Sequence, residues 1–177
     1  MTWSKLWVLI IVVVLILLAV YAAASWYFSG LVISSPAASL EAARAETGDP
    51  ADYGLPEPEN VSIEAGDVTL SGWYFDNPAD GGCGVLFMHG FTGTRYQALY
   101  WAPMFWERGC DILAYDHRGH GESTPAYYSY GYYEKQDALT AIRWFQQRTG
   151  LAESQLGVGG VSYGAGTALQ LAPMIPD

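Results

Sequence analysis

The amino-acid sequence predicts an α/β domain, a sheet covered by helices on both faces, that is preceded by one transmembrane helix. From Asn60 onward, short apolar runs of strand type alternate with helix-like segments, and this alternation predicts the α/β sheet. Before it, a long uncharged apolar run near the N-terminus predicts the membrane helix. Hydrophobic residues make up 51% of the chain and charged residues 15%, which is typical of a packed globular protein.

The apolar run at the N-terminus covers Leu6–Phe28 and contains no charged residue. A helix of that length can cross a bilayer core, which needs about 20 residues. Trp7 lies at one end of the run and the aromatic group Trp26–Phe28 at the other, where they suit the two membrane interfaces. We therefore predict a transmembrane anchor over residues 1–28.

Two alternatives are open for this anchor. Lys5 and the free amine favour an N-terminus inside the cytoplasm, which places the remainder of a single-pass membrane protein outside it, although Arg44 weakens this bias. In the alternative, Lys5 belongs to a signal peptide, Ala22–Ala24 supplies its cleavage site, and the mature protein is secreted. In both cases the chain enters a membrane or secretory route.

Residues 29–59 form the predicted tether between the anchor and the domain, because they hold several prolines and scattered charges. A short helix is expected over Ser39–Glu46, with its first residue as the cap. The predicted partial domain covers residues 60–177. It begins with a hairpin whose strands are Val61–Glu64 and Val68–Phe75.

Parallel strands and flanking helices are predicted after the hairpin. Continuous apolar runs without alternation fit strands that are buried on both faces of a sheet. These strands are Gly84–Met88, Cys110–Tyr115 and Leu156–Val161. Helical patterns lie between and after them, over Gln97–Arg108, Tyr133–Arg148 and Tyr163–Leu171.

The charge balance and the cysteine count exclude two classes of function. With 18 acidic and 8 basic residues the formal net charge is −10, so we predict no nucleic-acid partner. Cys83 and Cys110 form no CxxC pair and have no nearby set of ligands, so we predict no metal site. No glycine-rich loop with the phosphate-binding lysine occurs, and we predict no cofactor.

The central motif is Gly160-Val161-Ser162-Tyr163-Gly164, which follows a predicted strand and opens a predicted helix. In this setting a GxSxG motif is typical of a nucleophile elbow, in which the serine projects above the sheet beside a helix N-terminus. The two glycines are required because larger side chains at their positions would collide with the neighbouring strand and helix. An ordinary glycine-rich turn is the alternative interpretation.

A second motif, His89-Gly90-Phe91-Thr92-Gly93, comes directly after the predicted strand that ends at Met88. A tight loop at a strand end can direct backbone N–H groups into a cleft. Acyl transfer needs two such donors for the anionic oxygen of its tetrahedral intermediate. An ordinary turn is again the alternative, and we interpret His89 as a hydrogen-bonded structural residue rather than as a general base.

The third motif, Asp116–Ser123, holds two histidines and two carboxylates within eight residues. This composition is compatible with a metal site. The glycines and Arg118 in the same segment favour a folded turn with internal hydrogen bonds, and we predict the turn.

The order of these three motifs resembles the α/β-hydrolase superfamily, in particular its membrane-anchored, BEM46-like or serine aminopeptidase-like branch. The resemblance covers residues 49–173 and implies the N-terminal half of the α/β-hydrolase fold. It implies Ser162 as the nucleophile and the backbone N–H groups of Phe91 and Tyr163 as the oxyanion hole. It also implies that strand Gly84–Met88 lies between the Cys110 strand and the Leu156 strand.

The chain departs from this family after the nucleophile. The family presents its triad in the order serine, acid, histidine, whereas no histidine follows Ser162 and the only later carboxylate is that of Asp177. We therefore expect a C-terminally truncated form of a longer enzyme, inert by itself because an unactivated serine is a weak nucleophile.

The resemblance implies a serine hydrolase that cleaves an ester, thioester or amide of a small-molecule or lipid-like acyl substrate. A peptidase of the serine aminopeptidase type is one alternative. A non-catalytic, membrane-tethered binding module is another.

Cys83 and Cys110 stand at the starts of two strands that the resemblance makes neighbours. Outside the cytoplasm they could form a disulfide. Geometry between adjacent strands is often poor for bridging, and free buried cysteines are common. The sequence leaves both states open.

Overall fold

The computed structural model describes residues 2–34, 36–79 and 81–175. The chain divides into two compact units, Met1–Ser35 and Pro36–Asp177. The first unit is a single helix, α1, over Trp3–Ile33, and none of its residues is buried. In the described part of the chain it is the one helix that is long and apolar enough to cross a membrane, a property that signal sequences share.

Helix α1 continues past Phe28, the predicted end of the anchor. The continuation is apolar from Leu31 to Ile33, and the first proline after the helix is Pro36. No proline interrupts residues 29–33 and the helix runs through Gly30, so it ends later than the apolar pattern alone predicted.

The second unit contains a five-stranded sheet in the order β1-β2-β4-β3-β5. Its strands are β1 (Glu59–Ala65), β2 (Val68–Phe75), β3 (Gly84–Met88), β4 (Asp111–Tyr115) and β5 (Leu156–Gly160). The hairpin β1–β2 is antiparallel, β2 pairs antiparallel with β4, and β3 runs parallel to both β4 and β5. The predicted hairpin and the predicted neighbours of β3 are confirmed.

The helices of this unit are α2 (Leu40–Thr47), α3 (Ala102–Trp106), α4 (Glu134–Thr149) and α5 (Tyr163–Leu171). Short 3-10 turns cover Pro50–Tyr53, Arg95–Tyr100, Glu153–Gln155 and Ala172–Met174. The bounds of α5 agree with the sequence prediction. The single helix predicted over Gln97–Arg108 is wrong, because the chain forms a 3-10 turn and then α3, with a proline in the first turn of α3.

Two apolar layers cover the sheet. One layer packs α4 and α5 against side chains of the sheet such as Leu70, Leu86 and Leu113. The other packs α2, α3 and the 3-10 turn before α3 against side chains of the sheet such as Phe75, Phe87 and Ile112. All five residues of β3 are buried, as expected for a central strand with both faces covered.

The segment predicted as a tether folds onto this core after residue 36. Ser39 caps α2, its hydroxyl accepting a hydrogen bond of 3.1 Å from the Ala42 amide. Ala43 and Leu55 are buried in the second apolar layer. The Ala38 amide donates to the Thr92 carbonyl at 2.8 Å. The prolines of this segment therefore shape a packed chain rather than a free linker.

Cys83 and Cys110 form a disulfide, with their Cα atoms 4.6 Å apart. Each cysteine comes directly before a strand, and the next residues, Gly84 and Asp111, are register partners of β3 and β4. The two cysteines consequently stand side by side at the same end of two parallel strands, which resolves the alternative that the sequence left open.

Candidate active site

The turn between β5 and α5 carries the predicted nucleophile. Strand β5 ends at Gly160 and α5 begins at Tyr163, so Val161 and Ser162 form the connection. Ser162 has φ 50° and ψ −106°, a positive-φ conformation that is costly for a residue with a side chain. Ser162 is exposed to solvent. A positive φ at an exposed serine that opens a helix is compatible with the predicted nucleophile elbow.

The two glycines of the motif are sterically required. A Cβ atom on Gly160 would lie 2.5 Å from the carbonyl carbon of Gly164. A Cβ atom on Gly164 would lie 2.3 Å from the carbonyl oxygen of Met88, at the end of β3. Both clashes are with backbone atoms, which no side-chain movement relieves. The spacing of the motif therefore follows from the close packing of β5, α5 and β3.

The loop His89–Gly93 lies beside Ser162. A Cβ atom on Gly90 would stand 3.7 Å from the Cβ atom of Ser162. The loop is closed by a hydrogen bond of 3.0 Å from the Gly93 amide to the Gly90 carbonyl. It is held to the following 3-10 turn by the Gly90 amide, which donates to Oε1 of Gln97 at 2.8 Å.

The backbone N–H groups of Phe91 and Tyr163 are the predicted oxyanion-hole donors. No described residue accepts a hydrogen bond from either group. Phe91 belongs to the loop beside Ser162, and Tyr163 is the residue directly after it. Two unengaged donors next to an exposed serine are able to bind an anionic oxygen.

His89 is buried and hydrogen-bonded through both ring nitrogens. It is 2% exposed. Its Nδ1 donates to the Gly90 carbonyl at 2.7 Å, and its Nε2 accepts from the His117 amide at 2.9 Å. Both ring nitrogens are occupied, so this imidazole joins the loop after β3 to the turn after β4.

His117 and His120 complete a buried cluster with His89, which we call the histidine cluster. The ring centroids of His117 and His120 lie 4.6 Å and 4.9 Å from that of His89. Burial and the neighbouring imidazole of His120 lower the pKa of His117 to about 3. Burial also lowers the pKa of His89 and His120. At neutral pH the three rings are uncharged.

No side chain of residues 2–34, 36–79 and 81–175 makes a hydrogen bond to the Ser162 hydroxyl. The three histidines of the chain are therefore not placed as its general base. Asp177, the only carboxylate after Ser162, lies outside the described residues.

The segment Asp116–Ser123 is a folded turn, as predicted. The Asp116 carboxylate accepts from the amides of Arg95 at 2.7 Å and Glu122 at 3.1 Å. The Ser123 hydroxyl donates to the Asp116 carbonyl at 2.6 Å. Burial raises the pKa of Asp116, although the Arg95 guanidinium opposes this shift. Among the described residues no group of three or more His, Cys, Asp or Glu side chains could hold a metal ion.

Sequence reasoning missed a set of contacts around the loop His89–Gly93. The rings of Tyr128 and Tyr130 lie 5.4 Å and 5.9 Å from that of Phe91, measured between centroids. Glu134, fully buried at the start of α4, binds the backbone of the same tyrosine-rich segment. The repeated tyrosines are visible in the sequence, but no local pattern indicates which of them point to the site.

A mainly apolar cavity of about 240 Å³ borders the elbow. Gly160 and Val161 form one of its walls, and Trp101 and Met104 form another. Because Val161 directly precedes Ser162 in the chain, the cavity lies beside the predicted nucleophile. Its lining suits a hydrocarbon group better than a charged one.

Comparison with known proteins gives a consistent result. The family model described as "alpha/beta hydrolase fold" matches residues 85–177, more than half of the chain. The uncharacterized protein YqkD of Bacillus subtilis (strain 168) is 35% identical over 85 residues, which are 48% of this chain and 28% of YqkD.

Solved structures give the same picture. The esterase Pf2001 of Pyrococcus furiosus superposes with a TM-score of 0.59 at 31% identity, over 69% of this chain and 48% of the esterase. The alpha/beta hydrolase GrgF of Penicillium sp. sh18 superposes with a TM-score of 0.61 at 26% identity, over 68% of this chain and 43% of GrgF. The chain thus spans less than half the length of each of these three proteins.

Proposed function

Because the chain belongs to the alpha/beta hydrolase fold family, we propose that it is the nucleophile-bearing part of a serine hydrolase. Ser162 attacks the carbonyl carbon of an ester, thioester or amide and forms an acyl-enzyme. The observation that carries this proposal is the backbone of Ser162, strained at φ 50° between two glycines that cannot be replaced without a backbone clash.

The reaction follows from the groups around Ser162. Its Oγ bonds to the carbonyl carbon, and the carbonyl oxygen takes up negative charge as the tetrahedral intermediate forms. The N–H groups of Phe91 and Tyr163, together with the N-terminus of α5, stabilise that charge. The intermediate collapses, the alcohol, thiol or amine leaves with a proton, and water later releases the acid.

The proton of the Ser162 hydroxyl must pass to a general base, and none of the described side chains is bonded to it. We infer that the 177-residue chain alone forms the acyl-enzyme far more slowly than a complete triad would. A serine without a base loses several orders of magnitude in rate.

The substrate we propose is an acyl ester with a hydrocarbon chain. The apolar cavity next to the elbow supports an apolar acyl group. The name of Pf2001, an esterase at 31% identity, favours an ester over an amide. The peptidase function and the membership of a BEM46-like or serine aminopeptidase-like branch remain predictions.

A fluorophosphonate probe tests the proposal, because it reacts only with an activated serine. We expect labelling of the protein as its gene encodes it, and loss of labelling in Ser162→Ala. The matched control is Ser154→Ala, an exposed serine in the 3-10 turn before β5, which should label normally. Absence of labelling in a folded protein would instead support a non-catalytic binding module. Preference for aminoacyl amides over acyl esters would support the peptidase.

We also propose that α1 anchors the protein in a membrane with its N-terminus inside and the second unit outside the cytoplasm. The position of Lys5 before the apolar run and the Cys83–Cys110 bridge support this orientation. Protease added to intact cells should digest the second unit. Protection of that unit until the membrane is opened would reverse the orientation.

A further inference from the structure

Residues 127–133, which we call the tyrosine loop, connect the Asp116–Ser123 turn to α4. The loop contains five tyrosines and has no part in the chemistry described for Ser162. Tyr127, Tyr130, Tyr132 and Tyr133 are all exposed, whereas Tyr128 is 4% exposed. The contacts of the individual rings separate those that face the candidate active site from those that do not.

Glu134 holds the backbone of the tyrosine loop. Its carboxylate is fully buried and accepts hydrogen bonds from the Ser129 amide at 2.8 Å, the Gly131 amide at 2.7 Å and the Ser129 hydroxyl. The Ser129 hydroxyl oxygen in turn accepts from the Tyr133 amide at 2.8 Å. Burial opposes ionisation of Glu134, but its hydrogen bonds outweigh burial and lower its pKa.

Tyr130 is fixed in an unusual backbone conformation within this loop. Its φ is 53°, one of three positive values among the described non-glycine residues, together with those of Thr92 and Ser162. Its carbonyl accepts a hydrogen bond of 3.2 Å from Nε2 of Gln170 in α5. A conformation of this cost persists only where surrounding contacts determine it.

The ring of Tyr130 contacts the two residues whose amides are the proposed oxyanion donors. It stacks on Phe91, with centroids 5.9 Å apart and an interplanar angle of 24°. It meets Tyr163 edge to face, with centroids 5.7 Å apart. Phe91 and Tyr163 also contact each other at 6.0 Å. One ring thus contacts the side chains of both residues whose amides are the proposed oxyanion donors.

We propose that Tyr130, held in place by Glu134, is a positioning residue that fixes the backbones of Phe91 and Tyr163 relative to each other. The inference rests on the proposed function, because it concerns the amides that would bind the oxyanion. Oxyanion stabilisation depends on donors that are already in place before charge develops. The contacts of the Tyr130 ring hold the two donor residues in place from the tyrosine loop, which is distant from both of them in sequence.

Two measurements on the protein as its gene encodes it, the same material as in the labelling experiment above, test this role. The first is the backbone order parameter of the Phe91 and Tyr163 amides, measured by ¹⁵N relaxation in detergent micelles. The second is the fluorophosphonate labelling rate of Ser162. Tyr130→Ala removes the ring, Tyr130→Phe keeps it, and Tyr132→Ala is the matched control, because the Tyr132 ring contacts Tyr133 and Lys135 instead.

We expect Tyr130→Ala to lower both order parameters from about 0.85 to below about 0.7. We expect it to slow labelling about tenfold, less than the loss of a whole oxyanion donor. The pH at which labelling is half-maximal should not move, because Tyr130 does not act on the base. Tyr130→Phe and Tyr132→Ala should stay within about twofold of the parent protein in rate. Glu134→Gln, which keeps the Tyr130 ring but weakens the hydrogen bonds that hold its loop, should slow labelling about threefold.

Three outcomes overturn the role of Tyr130. The first is equal loss in Tyr132→Ala and Tyr130→Ala, which would indicate general loosening of the loop. The second is unchanged order parameters in both Tyr130→Ala and Glu134→Gln. The third is a Tyr130→Phe variant as impaired as Tyr130→Ala. If the parent protein is not labelled at all, the proposed function fails, and the order parameters alone still decide whether Tyr130 positions the two amides.

Discussion

Ser162 adopts a conformation that costs on the order of 1–3 kcal/mol for a residue with a side chain, and its neighbours explain how the turn is retained. The Val161 amide donates to the Met88 carbonyl at 3.1 Å, and the Gly164 amide donates to the Val161 carbonyl at 2.9 Å. Gly164 packs so closely on β3 that the chain has room for no other residue there. At the residue scale, strain at the serine is maintained by backbone contacts on both sides of it.

Replacement of Gly164 by alanine tests this packing, and Gly166 in the same helix is the matched control. The new Cβ of Gly164→Ala would meet the Met88 carbonyl oxygen at 2.3 Å, whereas that of Gly166→Ala would meet nothing within 4 Å. We expect Gly164→Ala to lower the free energy of unfolding by at least about 3 kcal/mol. Gly166→Ala should raise it by up to about 1 kcal/mol, because alanine is the better helix former.

Urea unfolding followed by far-ultraviolet circular dichroism measures both changes. Equal stability of the two variants would contradict the close approach of α5 to β3.

Local chemistry explains why some residues of the candidate site were predictable and others were not. Ser162 and its two glycines belong to one turn of five residues, so the motif itself carries their role. Tyr130 reaches Phe91 across a distance in sequence that no local pattern spans. The buried Arg95 and Asp116 also lie far apart in sequence, and only the folded chain brings the two together.

At the scale of elements, the histidine cluster links the loop after β3 to the turn after β4. Nε2 of His89 accepts a hydrogen bond from the His117 amide, and the ring of His120 stacks on that of Tyr128 with centroids 4.4 Å apart. Both ring nitrogens of His117 are buried without a hydrogen-bond partner among the described residues. The cluster is therefore compatible with neutral imidazoles only, and acid should weaken the connection between the two loops.

The sign of this pH effect follows from the lowered pKa of His117. The unfolded chain binds a proton near pH 6.5, the folded chain only near pH 3. The stability that depends on neutral His117 is fully present above pH 6.5, the pKa in the unfolded chain, and is lost as the pH falls from there toward 3. Between pH 7.5 and pH 5, we expect His117 alone to account for a loss of about 2 kcal/mol.

Urea unfolding at pH 7.5 and pH 5 measures this effect. In the non-titrating variant His117→Gln, the drop in the free energy of unfolding between the two pH values should be smaller by about 2 kcal/mol. Identical pH dependence in the variant and the parent protein would contradict a buried neutral His117.

Elements with a clear boundary residue were predicted well, and elements shaped by packing were not. Helix α5 follows directly from the elbow, and its bounds agree with the prediction. The chain after Pro36 looks like a linker in composition, yet Ala43 and Leu55 find apolar partners on the sheet. Small or isolated apolar residues give no periodic signal, so their burial depends on a surface formed elsewhere in the chain.

At the scale of the whole molecule, an apolar helix without buried residues and a folded α/β unit coexist in one chain. The folded unit carries its disulfide at the start of β3 and β4, whereas the loops of the candidate active site follow the ends of β3 and β5. Parallel strands put these features at opposite ends of the sheet. The bridge therefore stabilises the fold without touching the site.

The thiol state tests this arrangement together with the compartment of the folded unit. We expect the unreduced, denatured protein to present no free thiol, because an oxidising compartment retains the bridge. The cysteines are separated by 27 positions, and closing a loop of that size stabilises a fold by about 3–4 kcal/mol.

Cys83→Ser should therefore unfold at lower urea and expose one thiol, that of Cys110, which is 4% exposed in the fold and should react only after denaturation. Because the bridge is remote from Ser162, the rate of probe labelling per folded molecule should remain that of the parent protein. Two free thiols in the unreduced parent protein would contradict both the bridge and the proposed location outside the cytoplasm.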